Sequence, residues 1–148
     1  MTCTACELGS LEGHMHAIIF ANYEGKWILC NHRDRATWET SGGHIEPGET
    51  PLEAAKRELF EETGVVEYTI HPVCDYRAWA EPQERANLDW VNAIGQVFLA
   101  VVDKIGPLPE SEIKKIDLFE ELPENLTYPA ITHEVFPIAR KLFESGGF

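Results

Sequence analysis

The sequence predicts a single α/β domain of the α+β kind, a mixed β-sheet covered by helices. Two observations carry this. Apolar runs of β character come first, then one sharply bounded helix, then further β-type runs and a closing helix. The 148 residues also lie within the ordinary size of one domain, with no internal repeat and no low-complexity tract to mark a second.

Residues 1–13 are small and polar and read as a flexible tail, which leaves 14–148 as the single domain. Residues 14–20 and 26–30 are apolar runs separated by Asn22-Tyr23-Glu24-Gly25, a hairpin signal. Residues 31–43 mix charges with a glycine pair and read as a loop with room for one short strand. The clearest helix covers 50–63. Thr50 and Glu53 form a T-x-x-E capping box, Pro51 takes the first helical position, where no donor is needed, and Gly64 follows as a left-handed stop. Leu52, Ala55 and Leu59 give that helix one apolar face.

Beyond it, 65–75 is β-rich, 79–89 carries Pro82 and several charges and reads as a surface loop, and 90–102 is an apolar strand ended by Gly106-Pro107-Leu108-Pro109. Residues 113–119 suit one more short strand. Ile131, Val135, Ile138, Ala139, Leu142 and Phe143 recur at helical spacing and stop before Gly146-Gly147. Pro137 inside that run predicts either a kink or a helix that begins near it.

Composition narrows the function. Twelve basic and 25 acidic residues give a formal charge of −13, a field that repels nucleic acid and anionic membranes, since both need clustered Lys and Arg. A polyphosphate would be repelled as well unless cations stood between it and the carboxylates. No stretch is long and apolar enough for a membrane span, and the first residues do not read as a secretory signal, so a cytoplasmic location is expected. Four cysteines do not make a disulfide scaffold; Cys30 and Cys74 lie in apolar runs and are expected as buried thiols. Cys3-x-x-Cys6 with His14 and His16 lacks the spacing of common zinc sites, and is better read as tail.

The chemistry is written in residues 42–65. Glu58, Glu61 and Glu62 stand at i, i+3 and i+4 on the helix, within about 5–6 Å at Cβ, where like charges cost a few tenths of a kcal/mol per pair. Arg57 can pair with Glu53 and Glu61 one turn away. Acidic helix faces are usually only solvated. Here, however, Gly42-Gly43 permits close backbone approach, and Pro47-Gly48 turns Glu49 back toward the helix entrance. Three carboxylates on one face are what a hard divalent cation wants, because Mg²⁺ takes oxygen ligands.

The segment resembles the Nudix box, G-x5-E-x7-R-E-U-x-E-E-x-G-U with U aliphatic. Every fixed position is present: Gly43, Glu49, Arg57, Glu58, Leu59, Glu61, Glu62, Gly64 and Val65. The flanking strands and Leu122-Pro123 are similar to the MutT-like nucleoside triphosphate pyrophosphohydrolases of that family. The resemblance implies an α/β/α sandwich with the box as a loop-helix-loop at the end of a mixed sheet. It implies Mg²⁺, with Mn²⁺ as a substitute, held by Glu58, Glu61, Glu62 and the carbonyl of Gly43. Glu58, Arg57 and Glu61 form the implied catalytic set, with Glu58 the candidate base, Arg57 orienting a glutamate and Glu49 supporting the site from the loop. Glu112 stands where MutT-like members place a further metal carboxylate, and Asn125 lies near, though about one residue off, an asparagine that reads a purine edge.

Arg33 and Arg35, just before the glycine loop, are candidates for holding phosphates. Trp38, Trp79, Trp90 and Tyr128 are candidates for stacking on a base, although large aromatics more often fill cores. Ser41 departs from the proline that many relatives carry before Gly-Gly.

The leading expectation is hydrolysis of a nucleoside triphosphate, including oxidised ones, to monophosphate and pyrophosphate. The alternatives are an ADP-ribose or nucleotide-sugar pyrophosphohydrolase, or a Nudix-fold sensor that binds a nucleotide without cutting it. The intact glutamates weigh against the sensor. The net charge weighs against RNA ends, and Cys30 and Cys74 lack the supporting motif an isoprenoid diphosphate isomerase needs. The expected partner is a small nucleotide. The oligomeric state stays open, with a homodimer among the options.

Overall fold

The computed structural model describes residues 1–85 and 92–147. Eight strands and two helices follow in the order β1 (Thr2–Cys6), β2 (His16–Tyr23), β3 (Lys26–His32), β4 (Trp38–Glu39), β5 (Ser41–His44), α1 (Pro51–Thr63), β6 (Val65–Trp79), β7 (Asn92–Ile105), β8 (Ile113–Phe119) and α2 (Pro129–Ser145). They build one mixed sheet in the order β1-β6-β7-β2-β3-β4, with β5 also on β2 and β8 on β3. The pairing of β2 with β7 is parallel and the others are antiparallel.

Alternation along the strands splits the apolar residues between two cores. On one face Ala17, Ile19, Ala21, Phe98 and Ala100 meet Ala54, Ala55 and Leu59 of α1. On the other Phe20, Trp27, Tyr76, Val97 and Leu99 meet Ile131, Val135, Phe136 and Ala139 of α2. With a helix on each face, the central strands carry apolar side chains on both sides, which is why they read as continuous apolar runs. This is the expected α/β/α sandwich.

The hairpin between β2 and β3 turns where expected, with Glu24 and Gly25 both at positive φ (53° and 85°) and Asn22 Oδ1 accepting from the Gly25 amide. Helix α1 carries both arms of its capping box, and the Gly64 amide donates to the Phe60 carbonyl in a left-handed C-cap.

Three expectations change. The stretch expected as a tail contains β1, which adds an edge strand to β6 in register from Thr2–Trp79 to Cys6–Asp75. The glutamate of α2 at 134 accepts from the Ala5 amide of that strand, and Asp75 binds the Leu11 amide and His14 behind it. These partners are distant in sequence and leave no local periodicity. Strand β6 runs on to Trp79, because β7 pairs with it along that whole length. Of the two outcomes expected at Pro137, the late helix start is the one overturned: α2 begins at Pro129 and carries Pro137 inside it, since burial of Ile131, Val135 and Phe136 outweighs one missing backbone donor. Trp90 lies outside the described residues.

The sheet opens where β2 changes partners. Its second half pairs with β3 (Ala21–Ile28 to Tyr23–Lys26), and its first half pairs with β5 (His16–His44 to Ile19–Ser41). Strand β3 therefore diverges from β2, and a cavity forms at the split.

Candidate active site

Helix α1 presents Arg57, Glu58, Glu61 and Glu62 toward the β5 loop, and Arg57 is the hub. Its Nε and Nη2 donate to the two oxygens of Glu49 at 2.8 and 2.9 Å, a bidentate fork. Nη1 donates to Glu58 at 2.8 Å and to Glu61 at 3.4 Å, and Nη2 also reaches the His44 carbonyl at 3.1 Å. The Arg57 fork, helped by the Glu46 amide, holds the Glu49 carboxyl down at about 2. The anticipated pairing of Arg57 with Glu53 is replaced by the loop: Glu53 is occupied in the capping box.

Glycine at 43 is dictated by close approach. A Cβ there would stand 2.7 Å from Oε1 of Glu58, whose side chain is only 13% exposed. Next to it the Gly42 amide donates to Oε1 of Glu62 at 2.7 Å. Burial raises the Glu58 carboxyl above its ordinary value against the pull of Arg57. Burial also pushes Glu62 up to about 8, with Glu58, Glu39 and Glu61 adding to it and the Gly42 amide opposing.

A cavity of about 500 Å³ lies at the split in the sheet. Of the residues singled out from sequence for the site, Gly42, Gly43, Glu62, Glu112, Arg35 and Tyr128 line it. Glu58 sits behind Gly43, and Glu61 is half exposed on α1. Arg33 and Asn125 are not among the lining residues: Arg33 donates to the Ser111 carbonyl and Asn125 to the Ala36 carbonyl, so both serve as loop ties. Arg35 binds Glu39 and lies 5.9 Å from the centroid of the Tyr128 ring. Trp38 is not among the lining residues; half-buried, it packs edge-on against Phe119. Sequence reasoning named His16 only in a zinc pattern that it set aside as tail, and it missed His32, Glu39 and His44 in the lining. They come from β2, β3, β4 and β5 and share no motif, so nothing local marked them.

The glutamates do not stand as a ready-made ligand cluster: among the described residues no three acidic, His or Cys side chains are gathered to hold a metal. The reason is electrostatic. Arg57 draws Glu58 and Glu61 to itself, and Glu62 turns to the Gly42 amide. The donor set nevertheless fits a hard divalent cation. It is all oxygen, and Glu58, Glu39 and Glu61 add their charge to the burial that chiefly raises Glu62, a repulsion that a cation would relieve.

Comparison with known proteins agrees with this geometry. The NUDIX domain family matches residues 14–137. The Bacillus subtilis (strain 168) protein YtkD, named as a candidate 8-oxo-dGTP diphosphatase, is 32% identical over 138 residues, 88% of this chain and 82% of its own length. An RNA pyrophosphohydrolase of Francisella philomiragia is 32% identical over 63 residues, 43% of this chain and 41% of that protein. The crystal structure of the Bacillus subtilis pyrophosphohydrolase BsRppH superposes with a TM-score of 0.76 at 26% identity, covering 99% of this chain and 92% of that one. The chain belongs to the Nudix family and has its fold. It is a hydrolase of phosphorus-containing anhydrides, a Nudix pyrophosphohydrolase acting on nucleotide-linked substrates, and members of that family generally need divalent metal ions. No helix among the described residues is long and apolar enough to cross a membrane.

Proposed function

We propose that this protein hydrolyses a nucleoside triphosphate, including oxidised forms, to the monophosphate and pyrophosphate with Mg²⁺. The observation that carries the reading is the Arg57 hub, which fixes Glu49, Glu58 and Glu61 beside a cavity lined by Glu62 and Gly43. Likeness to YtkD over most of both chains supports the triphosphate substrate.

Glu58, Glu61, Glu62, Glu112 and the Gly43 carbonyl would hold the cation. Mg²⁺ bound there would neutralise diphosphate oxygens and lower the pKa of a water. Glu58 is the proposed base. Burial raises its proton affinity, and Arg57 fixes one of its oxygens, so the other is left to take a proton at a defined place. Glu61, held more loosely by Arg57 at 3.4 Å, is the ligand freest to turn toward a cation. Arg35 offers its guanidinium to phosphate and Tyr128 its ring to a base, both from the cavity wall.

The test is a panel of nucleoside triphosphates with Mg²⁺ in ¹⁸O-water, reading pyrophosphate against orthophosphate. Monophosphate plus pyrophosphate is expected. Nucleoside diphosphate plus orthophosphate would refute the bond assignment, and binding without products would favour a sensor. A second reading, removal of pyrophosphate from RNA 5′ ends, draws on the likeness to the Francisella philomiragia RNA pyrophosphohydrolase over 63 residues. The formal charge of −13 opposes it, so a triphosphorylated RNA belongs in the panel as the weaker expected substrate.

A further inference from the structure

We propose that His32 is a positioning residue that orients the Glu112 carboxylate into the cavity shared with Glu62 and Gly43. The inference rests on the reading of that cavity as the cation and diphosphate site. The Asp34 amide donates to His32 Nδ1 at 3.2 Å, which places the ring proton on Nε2. Nε2 then donates to Oε2 of Glu112 at 3.1 Å. His32 is 16% exposed and fixed at the bulge that ends β3, whereas the Glu112 side chain is 86% exposed. A glutamate so open to solvent samples many rotamers unless something directs it.

The contact is not needed to hold the loop. The Arg33 amide already donates to the Glu112 carbonyl at 2.7 Å, the Arg33 guanidinium to the Ser111 carbonyl at 3.0 Å, and the Ile113 amide to Ser111 Oγ at 3.1 Å. Those bonds fix the backbone from 111 to 113. What remains for His32 is the direction of one carboxylate, and both residues line the cavity. Partners of this kind behind a metal-binding carboxylate typically govern affinity by about 10- to 100-fold.

The experiment titrates Mn²⁺ alone into the full chain and follows free Mn²⁺ by electron paramagnetic resonance, a readout independent of turnover. His32→Phe keeps a ring but no donor, and His32→Gln returns an amide donor near the Nε2 position. Glu112→Gln and the double variant complete the cycle. His32→Phe and Glu112→Gln should each weaken Mn²⁺ about tenfold, the double variant should be no weaker than Glu112→Gln alone, and His32→Gln should restore most of the loss. Should His32→Phe not fold, His32→Asn, whose amide is too short to reach Glu112, carries the same comparison.

Unchanged Mn²⁺ affinity in His32→Phe or in Glu112→Gln would overturn the proposal, as would losses that simply add in the double variant. If no nucleotide were hydrolysed, the proposed function would fall while the Mn²⁺ cycle still decided whether His32 acts through Glu112.

Discussion

Replacing Glu62 by Gln should raise stability and lower activity, and the stability gain should depend on pH. Burial, with Glu58, Glu39 and Glu61, pushes the Glu62 carboxyl from an ordinary 4.5 up to about 8. Between those values the folded chain holds a proton that the unfolded chain has released, so stability falls as pH rises through that window. At 1.36 kcal/mol per pH unit the upper bound is about 5 kcal/mol. Because the side chain is only half-buried, solvent screening brings the working figure to about 1–3 kcal/mol. Glutamine keeps an acceptor for the Gly42 amide and never ionises. The variant should therefore match wild type near pH 5 and melt a few degrees higher at pH 8, at roughly 2–4 °C per kcal/mol for a chain of this size. The assay is thermal unfolding at both pH values with a chelator present, repeated with Mg²⁺. Mg²⁺ should stabilise wild type at pH 8 by mass action and the variant less. Turnover should drop by at least about a hundredfold, as for a lost metal ligand. A variant that melts no higher than wild type at pH 8, or gains equally at both pH values, would refute the reasoning.

Glu61→Gln should also cost at least about a hundredfold in turnover, with the melting temperature nearly unchanged because the side chain is half exposed; wild-type rates at saturating and at limiting Mg²⁺ would remove it from the site. Arg57→Lys keeps the charge but loses the fork to Glu49 and the shared reach to Glu58 and Glu61, so kcat should fall with little change in KM. A raised KM with kcat intact would make Arg57 a phosphate contact instead. Gly43→Ala places a methyl 2.7 Å from Glu58 Oε1 and forces that carboxylate aside, so kcat should fall at least about tenfold in a protein that still folds; unchanged kinetics would show that the position of Glu58 does not matter.

Much of α1 was legible in the sequence because its determinants are local. The capping box, Pro51, the Gly64 stop and the Arg57–Glu61 pairing lie within a few residues of one another, and 3.6-residue geometry fixes where they fall. The β2–β3 hairpin was legible for the same reason, since its turn residues adjoin the strands they join. The nine fixed residues of the box add the family and, through it, the layered fold.

The tertiary structure decided what depends on distant partners. Strand β1 exists because β6 offers an edge more than sixty residues away, and nothing in residues 1–13 advertises that pairing. Arg57 and Glu49 meet across eight residues of loop and helix, and that contact displaced the Glu53 pairing that spacing alone allowed. Arg33 and Arg35 are two residues apart and look alike in sequence, yet Arg33 ties a loop to Ser111 while Arg35 lines the cavity. Side-chain direction along a strand end and its bulge is set by pairing with β8 and β4, which the sequence does not print. The sequence by itself therefore determined which residues carry the chemistry on α1. Only the folding of β2 between β3, β5 and β7 determined the cavity they serve, because its walls come from segments that long-range strand pairing alone brings together.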